Sequence, residues 1–411
     1  MKGKRILILT ICFILVFTVA CGTSVSAATV DLMDGITAQS VKGKTADEDF
    51  INSQAELYLK LYKDSFNKAN SENLVISPLS VSMALSMTAN GASGKTLEQM
   101  QSFLGGIDLE ELNAYQQSFL NRQNNDYLKI ANSIWFRDSE SLTVFEPFLQ
   151  TNANRYGAGI FKAPFDSSTV KDINTWVKDN TDGLIDEMVN EIDGITIMYL
   201  INAMAFEAKW SVPYTDQPSQ SVFYSASSEA QTAEMMLSNE SIYLKDDNAC
   251  GFIKQYEGGK YSFAALLPNE DISIDDYVNG LTAESLLKTL NNASDSRLKV
   301  YMPIFSFDCS LNMSEQLKSD MPLAFDQDNA DFSALGKSDR GNIHIESVVH
   351  KTTITVNTEG TTAAVSTKVE MTDKMSAEAP TVIKLNRPFV FMIIDNTTKL
   401  PVFIGNLMSI N

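Results

Sequence analysis

From Ile195 to Phe206 the chain runs without a charged residue until Glu207, and only Thr196 and Asn202 interrupt its apolar side chains. Such a run has no polar face to turn to water, so it fits a strand buried on both faces of a sheet. Before it, apolar residues recur near helical spacing. Phe50, Ala55, Leu57, Leu59, Leu61 and Phe66 predict a helix from Asp47, and Leu79 to Thr88 predict a second with Ser77-Pro78 as its start. Thr96 to Leu104 predicts a short third helix, and Thr169 to Val189 another, with Ile173, Trp176, Val177, Ile185 and Met188 on its apolar side. Leu128 to Phe136 alternates and predicts a strand among these helices. After the run, strands are predicted over Tyr261–Leu267, Leu298–Phe307, Ile343–Val356, Val382–Leu385, Phe389–Ile394 and Val402–Ile404. Helices gather early and strands late without regular alternation, which predicts an α+β fold with large antiparallel or mixed sheets.

At 411 residues and 44% hydrophobic, the chain has material for a large core. Length alone fits two or three domains. No internal repeat and no break in composition marks a second one, so residues 47–411 read as a single domain. Fifty-one acidic against 32 basic residues leave a net charge of −19. That charge repels phosphate backbones and argues against a nucleic-acid partner. No Cys/His cluster has metal-binding spacing and no Gly-rich phosphate loop is present, so neither a metal nor a cofactor is expected.

The N-terminus reads as a targeting segment over residues 1–27. Lys2, Lys4 and Arg5 precede an apolar stretch from Ile6 to Ala20 that is too short for a membrane span. Two processing readings stand side by side. Thr18-Val19-Ala20-Cys21 followed by Gly22 resembles a lipobox with Cys21 as the lipidated residue, although Thr18 stands where that pattern has Leu. Val25-Ser26-Ala27 is a small-residue cleavage site that yields a freely secreted protein. Both place the mature chain outside the cytoplasm, secreted or lipid-anchored at the outer face of the membrane. Loss of the three positive charges takes the net charge from −19 to about −22. Residues 28–46 are polar, lack strong periodicity and read as a linker or frayed end. Cys250 and Cys309, the only cysteines in the body, read as partly buried thiols or, less simply, as a bridge.

Residues 357–380 combine two signals. Between a predicted core strand and an apolar hairpin lies a segment that is small, polar and free of aromatics, the composition of an exposed loop. Its side chains nevertheless alternate. Thr361, Ala363, Val365, Thr367, Val369 and Met371 form a small or apolar face, while Thr362, Ala364, Ser366, Lys368, Glu370 and Thr372 form a mostly polar one. No proline precedes Pro380 at its end, so each backbone N–H before that residue is available to a ladder. As a strand, Gly360 to Lys374 would span about 46–50 Å, the length of a large sheet.

Around Gly360 the sequence resembles the hinge of the serpin reactive-centre loop: Glu359, Gly360 and Thr361, then Thr362, Ala363 and Ala364. Further motifs agree in order. They are Asn73-Leu74-Val75-Ile76-Ser77-Pro78-Leu79-Ser80, Ile173-Asn174-Thr175-Trp176-Val177, Leu200-Ile201-Asn202-Ala203 with Lys209-Trp210, Pro303 with Phe305, Val349-His350-Lys351, Asn386-Arg387-Pro388-Phe389 and Pro401-Val402-Phe403-Ile404-Gly405. The resemblance covers residues 47–411. It implies three β-sheets, eight or nine helices and an exposed reactive-centre loop, about 358–380, outside a five-stranded main sheet. It also implies a function: a serine protease cleaves the loop, and the loop enters the sheet as an extra strand while the protease is still acylated.

By the same resemblance, the commonest loop spacing puts the reactive bond at Lys374-Met375, which suits a trypsin-like protease. A slip of one residue gives Met375-Ser376 and an elastase- or chymotrypsin-like target. Ser77, Ser80, Asn202 and His350 match the shutter where the sheet opens, and Trp210 matches the breach where the loop first enters. Thr358 stands where the family usually has Glu, and Val365-Ser366 replace part of its alanine run. Val365 faces in and Ser366 out, which suits insertion. The expected partner is a serine protease and the expected state a monomer.

An enzyme is the first competing class. His344 and His350 are the only histidines, His350 belongs to the shutter pattern, and no Gly-x-Ser-x-Gly elbow is present, so the chain is not expected to be a catalyst. A non-inhibitory serpin acting as a secreted or surface binding protein is the second. From Gly360 to Ala364 the hinge carries none of the bulky, charged or proline residues that, by the same resemblance, block insertion.

Overall fold

The computed structural model describes residues 28–123, 127–138, 142–192, 197–339, 342–361 and 379–410. Cys21 and the predicted leader lie outside these residues. Among them are nine α-helices: α1 (Glu48–Lys68), α2 (Pro78–Ala89), α3 (Gly94–Phe103), α4 (Leu109–Arg122), α5 (Glu146–Tyr156), α6 (Ser167–Asn180), α7 (Ile274–Gly280), α8 (Ala283–Asn291) and α9 (Ser314–Asp320). The early strands are β1 (Val30–Asp31), β2 (Leu74–Ile76), β3 (Leu128–Arg137), β4 (Leu142–Val144), β5 (Gly159–Ala163), β6 (Met198–Phe206), β7 (Ala208–Lys209), β8 (Ser219–Tyr224), β9 (Ala230–Lys245) and β10 (Ala249–Gln255). The later ones are β11 (Tyr261–Pro268), β12 (Ser294–Pro303), β13 (Phe305–Asn312), β14 (Gly336–Ser338), β15 (Ser347–Val356), β16 (Gly360–Thr361), β17 (Thr381–Lys384), β18 (Phe389–Asp395) and β19 (Pro401–Leu407). They form three sheets, an α+β arrangement as the sequence predicts.

Met198–Phe206 of the apolar run form β6, and every residue of that strand is buried. Alternation sorts the strand between two cores. Leu200, Met204 and Phe206 face the main core, while Tyr199, Ile201, Ala203 and Ala205 face a second cluster beneath α6 with Ile173 and Val177. On the main-core side lies α2, whose residues are all buried. Pro78 opens it without wasting a backbone donor, and the Ser77 side chain caps it by accepting from the Ser80 N–H.

β6 pairs antiparallel with β3 and parallel with β15, and β13 flanks β15 on the far side. The seam between β6 and β15 is the feature that positions the functional site. Seven residue pairs join the two strands, from Ser347↔Tyr199 to Thr353↔Ala205.

Three expectations need correction. The helix expected over Thr169–Val189 ends at Asn180. Asp182 and Gly183 take positive φ of 51° and 78°, which no helix continues. Ile185, Met188 and Val189 still pack on the sheet, because Asn174 holds them: its Oδ1 accepts from Met188 N at 2.8 Å and Val189 N at 3.0 Å. Apolar periodicity reported their burial, not their conformation. The strand expected over Leu298–Phe307 is two strands, β12 and β13, that leave one sheet and join another at Ile304.

Residues 28–46, expected as a linker, lie along the body. β1 pairs with β5, Arg155 Nη1 donates to the Lys42 carbonyl at 3.0 Å, and Lys44 N donates to the Ala114 carbonyl at 2.9 Å. Main-chain hydrogen bonds fix this stretch, and they leave no trace in hydrophobic pattern.

Candidate functional site

After Val356 the chain turns back on itself at Asn357. The Asn357 Oδ1 accepts from Glu359 N at 2.9 Å and Gly360 N at 3.2 Å, a side-chain closure of the turn. The chain then runs antiparallel to β15 as β16, with Thr361 opposite Val356, and antiparallel to β7, with Gly360 opposite Lys209 and Thr361 opposite Ala208. The top of the β6/β15 seam is therefore already parted, with Gly360 and Thr361 seated in the gap. Gly360 and Thr361 of the expected hinge lie within the sheet rather than outside it.

Each seated residue has a reason to be what it is. A Cβ on Gly360 would stand 2.1 Å from the Ala208 carbonyl oxygen, so close strand approach excludes any side chain there. Thr361 is fully buried, as its place on the small face predicts, and its hydroxyl shares a 2.7 Å hydrogen bond with the Tyr256 hydroxyl. Trp210 binds the turn twice: its backbone N–H donates to the Glu359 carbonyl and its indole N–H to the Asn357 carbonyl, both at 2.9 Å. The indole stacks on Tyr256 with ring centres 4.5 Å apart. Thr362, Ala363, Ala364, Lys374, Met375 and Ser376 lie outside the described residues.

Lower down the seam is a buried polar network. Ser77 N donates to His350 Nε2 at 3.0 Å, which leaves Nδ1 as the protonated nitrogen facing Asn202 Oδ1. The Asn202 amide donates to Ser80 Oγ and Asn132 Oδ1, and Ser77 Oγ donates to the Val402 carbonyl at 2.8 Å. Burial holds the His350 pKa down to about 3, so the ring is neutral at physiological pH and acts as a fixed relay of hydrogen bonds. His350 and Asn202 face each other across β15 and β6. A strand entering between them must break that bond. Ser77, Ser80, Asn202 and His350 thus meet in one hydrogen-bonded network.

Sequence reasoning missed Asn132, Tyr256 and Tyr214. Asn132 had a signal: it is a polar residue amid the apolar side chains of a buried strand, where its amide demands a hydrogen-bond partner. Cys250 is half-buried and Cys309 buried, and both thiols are free. His344 pairs with Glu346 at 2.9 Å.

The main sheet thus has a parallel central seam that is opened at one end by the chain's own next segment. Residues 52–410 match the family described as Serpin (serine protease inhibitor), and the chain belongs to the serpin family. It is similar to the thermophilic serpin tengpin in its native state, with 43% identity, a TM-score of 0.88, and coverage of 93% of this chain and 100% of that one. Intracellular coagulation inhibitor 2 of Tachypleus tridentatus is 30% identical over 82% of this chain and 85% of its own length. The fold also matches thyroxine-binding globulin in complex with thyroxine, at 21% identity and a TM-score of 0.78 over 87% of this chain and 98% of that one. Proteins of this fold thus include protease inhibitors and a thyroxine-binding globulin, and as a class serpins are not catalysts.

Proposed function

We propose that this serpin is a suicide-substrate inhibitor of serine proteases. The observation that carries the reading is the parted seam with Thr361 already buried in it. In this reading a protease serine attacks the carbonyl carbon of Lys374, the Lys374–Met375 C–N bond breaks, and Met375 leaves as a new amino terminus. The acyl-linked loop then continues the strand that Gly360 and Thr361 begin. One parallel pairing, β6 with β15, is replaced by two antiparallel ones, which pair more favourably per residue. The small face of the loop follows Thr361 into the core, and its polar face stays outward. A trypsin-like target follows from Lys374, and an elastase- or chymotrypsin-like one from cleavage at Met375-Ser376 instead. The protein is proposed to act as a monomer outside the cytoplasm, freed after Ala27 or anchored by lipid on Cys21.

The test is incubation of the mature protein with trypsin-, elastase-, chymotrypsin- and subtilisin-like proteases, followed by denaturing gels and mass measurement of the released peptide. A band of serpin plus protease that survives denaturant is the expected result. A peptide starting at Met375 assigns Lys374 as the specificity residue, and one starting at Ser376 assigns Met375. Loop cleavage with no such band against any enzyme would leave a non-inhibitory binding protein as the better reading. The mass of the mature N-terminus separates lipidation of Cys21 from cleavage after Ala27.

A further inference from the structure

Lys254 of β10 is a buried cation that none of the sequence motifs includes. Its side chain is 4% exposed, and Nζ pairs with Glu240 of β9 at 2.7 Å. The same ammonium lies 4.6 Å from the ring centre of Tyr214 and 5.5 Å from that of Trp210, within cation–π range of both. These two residues are the ones that grip the hinge. Trp210 binds the carbonyls of Asn357 and Glu359, and Tyr214 N donates to the carbonyl between them, that of Thr358, at 3.2 Å. Three successive carbonyls of the turn are thus held by two aromatic residues that share one cation.

A buried ion pair adds little to global stability, because desolvation of two charges offsets their attraction. What it supplies here is position. Glu240 fixes the ammonium, and the ammonium fixes two rings against Tyr256 and the turn. We propose that Lys254, anchored by Glu240, is a positioning residue that latches Asn357–Thr361 in the mouth of the sheet through Trp210 and Tyr214. Its consequence for trapping rests on the inhibitory reading; the latch itself is a property of the uncleaved protein.

Hydrogen exchange read by mass spectrometry on the full mature chain tests it. The double variant Lys254→Met/Glu240→Gln removes both charges and keeps the packing. Its thermal midpoint should stay within a few degrees of the parent, while the amides of Asn357 to Thr361 exchange about five- to thirty-fold faster. Lys254→Arg, which keeps a cation over the rings, should restore the protection. If the double variant loses its fold, Glu240→Gln alone should give an intermediate acceleration. Unchanged hinge exchange in the charge-removing variants, or no rescue by Lys254→Arg, overturns the latch. Absence of covalent complexes with every protease would sink the inhibitory reading instead and leave the exchange result standing.

Discussion

At the scale of single residues, the site turns on groups that tolerate one environment only. Thr361 has no room and no solvent. A guanidinium at this position would have to be buried unpaired, so Thr361→Arg should be expelled from the seam. Gels should then show the loop cleaved by the target protease with the covalent band lost; a variant that still traps would refute insertion through this point. Asn132 is the second case. Its Oδ1 accepts from both Ser80 and Asn202. Asn132→Ala leaves those donors buried without that acceptor, and chemical denaturation should register a loss of about 1–3 kcal/mol. Gly360, Thr361, Ser77, Ser80, Asn202, His350 and Trp210 could be singled out in the sequence because each sits in a contiguous motif. Asn132, Tyr256 and Lys254 were not, because their meaning comes from partners on other elements, distant along the chain.

At the scale of elements, β6 and α2 follow directly from unbroken apolar composition. The segment after α6 does not. Its apolar residues continue the helical spacing, yet Asp182–Gly183 end the helix and Asn174 staples the residues beyond them to the sheet. Asn174→Ala frees the amides of Met188 and Val189 while leaving α6 itself intact. Hydrogen exchange should therefore rise over residues 184–189 and not in Ser167–Asn180. Equal protection in the two proteins would show that packing alone holds the segment.

At the scale of the whole molecule, two behaviours can be tested. His350 is neutral in the fold down to about pH 3, while an unfolded histidine takes a proton near 6.5. Its contribution to stability is therefore intact above about pH 6.5 and falls as pH drops from there toward 3, by at most about 1.4 kcal/mol per pH unit. Denaturation between pH 7 and 4.5 should show this slope shrink in His350→Gln, provided that variant folds. The second behaviour comes from the parted seam. If the loop completes the strand that Gly360–Thr361 begin, cleavage should raise the thermal midpoint well above that of the intact chain, since the inserted loop would add two antiparallel pairings that the intact chain lacks. A cleaved protein that melts at or below the intact one would mean that the loop stays out.

Pattern along the chain was enough to establish an α+β fold and a strand buried on both faces. These depend on near neighbours in sequence, where side-chain period decides which face is wet. Tertiary structure alone decided that residues 28–46 dock on the body, that the hinge begins inside the sheet, and that a lysine on β10 lies beneath the aromatic pair holding it. Those facts depend on main-chain hydrogen bonds and on contacts between distant strands, and neither leaves a periodic mark on the residues that make them.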